Sequence, residues 1–250
     1  VELGQTPEQA QAVRGEDDWR RVLGQALMER RAELGGFPVV DAQGHLLHHE
    51  CPMRLMLDGD LPTPAAHWLP MAMRTGLISQ IDEMALVLAL EQVALDGVAR
   101  GVNLSPASLL DSGFVPRLKA HLSESPSLAA RLWVEVAEAA AVDHPDLIHA
   151  LCEQLRPLGV RVGLEHAGER LAGIKALFSL GLDYVKLDAS VVQGVAQDNS
   201  RAAHVTATVS MLRGLGLQVM AEGVNDAGDL QVLWQCGVHG VTGPAVRLAH

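Results

Sequence analysis

The sequence predicts an α/β fold, specifically a modified (β/α)8 TIM-like barrel with an antiparallel first hairpin. Three observations predict it. Apolar helical segments alternate with short β-rich runs, eight such runs fit into about 215 residues, and no glycine-rich phosphate loop follows the first strand, as an open doubly wound sheet would usually carry. The length of 250 residues is that of one large domain, and a composition 48% hydrophobic and 20% charged can bury a full core.

The elements follow in order. Residues 1–16 are polar and aperiodic and are expected to be a linker remnant, with the barrel domain spanning 17–250. Asp17 and Asp18 open a helical pattern in which Trp19, Val22, Leu23, Ala26, Leu27 and Leu34 recur at three- and four-residue steps, predicting a linker helix over 17–34. Phe37-Pro38-Val39-Val40, a polar turn at Asp41 to Gly44 and the run His45 to Glu50 form a β-hairpin signal. Beyond it, helices around 80–95, 109–122, 145–158, 171–180, 200–215 and 226–236 each lead into a strand. Those strands are 101–104, 131–136, 160–165, 184–188, 217–222 and 240–243.

Charge and cysteine usage narrow the function. There are 30 acidic against 19 basic residues, a formal net charge of -11, which repels the phosphates of duplex nucleic acid and of anionic membranes but leaves room for a small phosphorylated ligand held by a few arginines. No run approaches the roughly 18–20 apolar residues of a membrane span, and the N-terminus lacks the order of a signal peptide. Cys51, Cys152 and Cys236 are odd in number and far apart, so they make neither a disulfide framework nor a CxxC knuckle, which suits a reducing compartment.

In a (β/α)8 barrel the C-terminal strand ends converge on one face. Here those ends read Glu50, Asn103, Glu135, Glu165-His166, Lys186 with Asp188, Glu222 and Thr242, nearly all polar or ionisable. A single polar strand end means little, because the chain is leaving the core there. So many together form a hard-ligand set whose mutual repulsion must be offset by a cation or by the Lys186 ammonium. Such a set supports metal-assisted hydrolysis of a phosphoester.

The ordered series of motifs resembles the EAL domain family, whose members hydrolyse or sense the bacterial second messenger cyclic di-GMP. Phe37-Pro38-Val39-Val40 resembles the family's QPIV strand, Glu50-Cys51-Pro52-Met53-Arg54 its ExLxR, and Asn103-Leu104-Ser105 its NLS. Glu135-Val136-Ala137-Glu138 resembles its ExTE, Lys186-Leu187-Asp188 its KID, and Ala221-Glu222-Gly223-Val224 its AEGV.

The resemblance implies that positions 50, 103, 135, 165, 166 and 222 correspond to residues that hold two divalent metals in active members, with Lys186 corresponding to the lysine that orients water. Where active members carry consecutive aspartates in a DDFG segment, this chain has Glu165-His166-Ala167-Gly168. The following loop, Ala167 to Gly173, has lost its Gly-Thr-Gly, Thr242-Gly243-Pro244 stands for QGY, and Pro52 replaces the signature leucine. The resemblance therefore implies a degenerate domain with no catalytic residues, in which Glu50, Lys186 and Glu222 are remnants and the metal site at Glu165 and His166 is lost. No cofactor is required, and Mg²⁺ or Mn²⁺ is not expected to bind.

Ligand contacts are expected from Arg54, Asn103, Glu135, Asp188 and Glu222, with cyclic di-GMP as ligand. The chain then resembles the inactive receptor type, LapD among them, and implies a homodimer or a partner signalling protein, an upstream GGDEF-like domain, and a cytoplasmic location as part of an inner-membrane protein. Two alternatives stand beside it: a protein-interaction domain that no longer binds nucleotide, and a weakly active phosphodiesterase in which a transition metal uses Glu165 and His166. Other conspicuous residues have plainer readings. His45, His48 and His49 read as edge-strand polar residues, Trp19, Trp68, Trp133 and Trp234 as core or interface fillers, and Asp143 to Asp146 as a helix start.

Overall fold

The computed structural model describes residues 14–168, 170–171 and 179–248. Most of the expected linker remnant, most of the expected helix over 171–180, and Glu169, Ala172 and Gly173 of the altered loop lie outside the described residues. The described residues open with helix α1 (Glu16–Met28), strand β1 (Ala32–Leu34) and the hairpin β2 (Phe37–Val40) and β3 (Leu46–Glu50). Strands β4 (Met53–Met56) and β5 (Pro62–Pro64) precede helices α2 (Ala65–Arg74) and α3 (Ile78–Asp96). The strands and longer helices that follow are β6 (Arg100–Leu104), α4 (Phe114–Glu124), β7 (Leu132–Ala137), α5 (Pro145–Leu155), β8 (Arg161–Ala167), β9 (Tyr184–Leu187), α6 (Asn199–Gly214), β10 (Gln218–Ala221), α7 (Ala227–Gln235) and β11 (Gly240–Val241).

Eight strands close into a barrel in the order β10-β11-β2-β3-β6-β7-β8-β9. Strand β2 runs antiparallel to both its neighbours, β3 and β11, and the other pairings are parallel. The fold class is thus the expected one, including the reversed hairpin. The helix ends obey local chemistry. Asp198 and Asp226 cap α6 and α7 by accepting hydrogen bonds from backbone N–H groups two and three residues on, and Pro145 opens α5. Between the barrel and its helices lies the main core, built from residues such as Val102, Val134, Leu164 and Val219 inside and Leu118, Leu151 and Val209 outside.

The expected linker helix over 17–34 is shorter than its periodicity suggests. It ends at Met28, Arg30 takes a left-handed backbone conformation, and Ala32–Leu34 pairs antiparallel with β4, putting Glu33 opposite Arg54. Leu34 fits the helical spacing and the strand equally well, and a pairing partner some twenty residues downstream settles it. β1, β4 and β5 form a small separate sheet. With α1, α2 and the start of α3 it encloses a second core of Trp19, Leu23, Leu55, Trp68, Ala72 and Ile81. The expected helix over 109–122 is also divided, with a short turn at Pro106–Leu109 preceding α4.

The reading of His48 as an edge-strand residue is corrected, because a closed barrel has no edge at β3. His48 is fully buried inside the barrel and stacks on Trp133 at 4.2 Å, and Trp133 meets Tyr184 edge-on at 4.9 Å. His45 is exposed beside Asp41, and His49 is half-buried. Trp19, Trp68 and Trp133 are buried as expected, and Trp234 is partly so. Gly163 on β8 is obligatory for this interior, since a Cβ there would lie 2.4 Å from the Tyr184 ring.

Neither ring nitrogen of His48 has a hydrogen-bond partner. Burial holds its pKa well below the ordinary histidine value, and the cations Lys186 and Arg161, with His49 when protonated, reinforce this. The native state therefore resists protonation at His48 while the unfolded chain accepts it. Stability at this group is full above about pH 6.5 and is lost progressively as the pH falls below that value. His48→Leu is expected to reduce the loss of urea stability between pH 7.5 and pH 5.5. An acid slope identical to that of the parent chain would show that other groups govern it.

Candidate functional site

The interior of the barrel becomes polar toward the C-terminal strand ends. Tyr184 donates from its hydroxyl to Glu135 Oε1 at 3.1 Å, and Lys186 Nζ sits 2.5 Å from Glu135 Oε1 and 2.5 Å from Glu50 Oε1. Glu135 and Lys186 are 2% and 1% exposed, so this pair is a floor beneath the site and is closed to a large ligand. Burial opposes charge on Lys186, but the carboxylates of Glu135 and Glu50 outweigh it and hold the ammonium above its ordinary pKa. Burial pushes Glu50 up, Lys186 opposes that shift, and Glu135 adds to it.

Above this floor lies a rim formed by an irregularity in β8. The β8–β9 register shifts between Leu164 and Ala167, and His166 takes a left-handed backbone conformation with φ of 52°. A bulge of this kind re-aims a side chain at a barrel rim. His166 Nδ1 makes a short hydrogen bond to Glu222 Oε1 and lies 3.3 Å from Asp188 Oδ2, while Nε2 lies 3.7 Å from Glu165 Oε2. The Glu222 hydrogen bond, helped by the charges of Glu165 and Asp188, raises the imidazole pKa to about 9, so the ring is a cation at neutral pH. Burial, with the neighbouring Glu135 charge, pushes Glu165 up to about 7. Asp188 is held low mainly by hydrogen bonds from Ser190, and it caps the short helix that follows β9.

His166 stands between two cavities. One, of about 390 Å³, is largely apolar: Met53, Trp68, Met73 and Ile81 line it, with Asn103 and Glu165 at its polar end. The other, of about 380 Å³, is lined by Phe37, Glu50, Asp188, Glu222, Thr242 and His166. The structure thus gathers Glu50, Asn103, Glu165, His166, Asp188 and Glu222 around one rim, with Lys186 and Glu135 below. It does not gather Arg54. That residue lies on β4 in the small sheet, lines neither cavity, and pairs with Glu33 at 3.6 Å. Sequence reasoning passed over two residues. Phe37, 47% exposed at the second cavity, stands where the QPIV motif has glutamine, a difference visible in the sequence. Glu138 is buried and accepts hydrogen bonds from the backbone N–H groups of Gly168 and Arg170, anchoring the chain after β8; only its place in the ExTE-like string signalled it.

The donor set can be tested against the two divalent metals that the motif resemblance implies. Among the described residues, His166, Asp188 and Glu222 are the group whose ligand atoms all lie within 4.8 Å of one another. This mixed nitrogen and oxygen set suits a transition ion better than Mg²⁺. The adjacent pair of ionised carboxylates that two Mg²⁺ ions need is missing. Position 165 carries a glutamate, position 166 offers a ring nitrogen in place of a carboxylate, and Lys186 already serves Glu50 and Glu135.

A closed barrel with one reversed strand, its strand ends gathering carboxylates, an amide, a lysine and an imidazole, defines a TIM-like barrel whose site is built to balance negative charge, as phosphoester-handling barrels are. Residues 23–247 match the EAL domain family, and the chain belongs to that family. The bifunctional diguanylate cyclase/cyclic di-GMP phosphodiesterase MucR of Pseudomonas aeruginosa is 31% identical over 189 residues, 73% of this chain, and the match spans 27% of MucR. The EAL domain of FimX from Pseudomonas aeruginosa, solved bound to cyclic di-GMP, superposes with a TM-score of 0.85 at 25% identity over 92% of this chain and 95% of that one. The S helix-GGDEF-EAL portion of Vibrio cholerae LapD shares the fold, with a TM-score of 0.83 at 17% identity over 98% of this chain and 59% of that one. Among the described residues, no helix is long and apolar enough to cross a membrane.

Proposed function

We propose that this EAL domain is a receptor for cyclic di-GMP that does not hydrolyse it. The observation that carries the reading is the placement of the His166 ring among the carboxylates of the rim, hydrogen-bonded to Glu222 and beside Asp188 and Glu165, where its protonated form is a built-in cation. It offsets their charge without an ion, so neither Mg²⁺ nor Mn²⁺ is required. Support for the ligand comes from the FimX domain, which is similar over nearly its whole length and binds cyclic di-GMP. In this reading the Asn103 amide and the Asp188 and Glu222 carboxylates meet the polar edges of the nucleotide, and Arg54 meets a phosphate. Glu135 supports the site from below through Lys186. The domain works as a cytoplasmic part of a longer protein with a GGDEF-like domain upstream, signalling through a homodimer or a partner protein.

Calorimetric titration with cyclic di-GMP, with and without Mn²⁺ and followed by product chromatography, tests the reading. Binding without turnover is expected, and Arg54→Ala should weaken it by about 1.5–3 kcal/mol. Appearance of the linear dinucleotide would identify a weak phosphodiesterase instead. A second reading, a protein-interaction domain without nucleotide, is favoured by the pairing of Arg54 with Glu33 and by its absence from both cavities. The absence of binding heat at high ligand concentration would select it.

A further inference from the structure

We propose that Glu33 on β1 is an affinity-setting residue, an internal anion that holds Arg54 and must give it up when a phosphate arrives. The inference rests on the ligand reading above and adds a residue to it. Its basis is the small sheet. Along β4, Met53 and Leu55 are buried and Arg54 and Met56 are partly exposed, so Arg54 projects from the open face. In register it is flanked by Glu33 on one side and Pro64 on the other, and Pro64 carries no charge. Glu33 is therefore its charged cross-strand neighbour, with Oε1 3.6 Å from Arg54 Nη1, and the two side chains are about equally exposed.

The pairing has two consequences for an anionic ligand. The guanidinium must exchange one anion for another, so the ligand gains only the difference between the two contacts. The Glu33 carboxylate also adds local repulsion, in a chain that already carries a net charge of -11. Neither term is large, because an exposed pair is weak, and that makes Glu33 a tuning element and not a lock. The pairing also depends on where the first helix stops. Only because α1 ends at Met28 and the chain re-enters as a strand does position 33 face position 54.

Titration of the chain with cyclic di-GMP at low salt tests this. Glu33→Gln is expected to tighten binding by about two- to fivefold. Glu91→Gln removes the same charge from another exposed pair, that with Arg30, which does not involve Arg54, and should leave affinity unchanged, separating a local effect from net charge. In the Arg54→Ala background, followed by chemical-shift titration at millimolar ligand, the gain from Glu33→Gln should vanish. Wild-type binding with no gain in Glu33→Gln, or an equal gain in Glu91→Gln, would overturn the inference while leaving the ligand reading intact. A gain that persists without Arg54 would also overturn it. Absence of binding in both the parent chain and Glu33→Gln would overturn the ligand reading and the inference together.

Discussion

Replacing Lys186 with methionine is expected to lower the stability of the domain by about 3–5 kcal/mol, because it strips the ammonium from two carboxylates inside the barrel. For a domain of this size that corresponds to a fall in melting temperature of roughly 6–20 °C. The cause is specific. Glu135 is almost wholly buried and its two partners are Lys186 and the Tyr184 hydroxyl, and Glu50 leans on the same ammonium. Without the lysine the carboxylates can be relieved only by taking up protons. The variant should therefore regain stability relative to the parent as the pH is lowered toward 5, and Glu135→Gln introduced beside Lys186→Met should restore part of the loss at neutral pH. Thermal unfolding at pH 7.5 and pH 5.5 measures both. An unchanged melting temperature would show that water and protonation already satisfy these groups.

The second large effect concerns the rim. Converting Glu165 and His166 together to aspartate is expected to tighten Mn²⁺ binding by at least about tenfold, or 1.4 kcal/mol. At neutral pH the change removes a cation and adds an anion beside Glu222 and Asp188, with which His166 is now in contact. It also shortens residue 165 by a methylene and supplies the all-oxygen donors that a hard ion prefers. Mn²⁺ titration followed by electron paramagnetic resonance reads this directly. Equal affinity in the parent and the double variant would mean that the imidazolium does not compete with metal, and the receptor reading would lose its main support.

The barrel was legible because each strand and helix states its own period. The strand ends Glu50, Asn103, Glu165 and Glu222 could be placed on one face from topology alone, and the rim gathers them there. Other features were illegible for a common reason. The linker helix was overextended because Leu34 satisfies two periodicities, and the choice belongs to β4, a partner distant in sequence. His48 was misplaced although a closed barrel was expected, because His48 and His49 are adjacent polar residues on opposite faces of β3 and the sequence does not say which of them faces the barrel interior. The pairing of Arg54 with Glu33 was equally out of reach, because cross-strand register sets it and the motif that carries Arg54 says nothing of β1.

By itself the sequence determined the class of fold, the reversed hairpin and the inventory of charges at the strand ends, because periodicity and topology are local and cumulative properties of the chain. The tertiary structure decided how those charges are compensated. Lys186 is committed to Glu50 and Glu135, His166 is turned by a bulge onto Glu222, and Arg54 is paired with Glu33. Each depends on a distance of a few ångströms between residues far apart in the chain. Electrostatic energy falls with distance and dielectric, which register, bulge and burial set and composition does not.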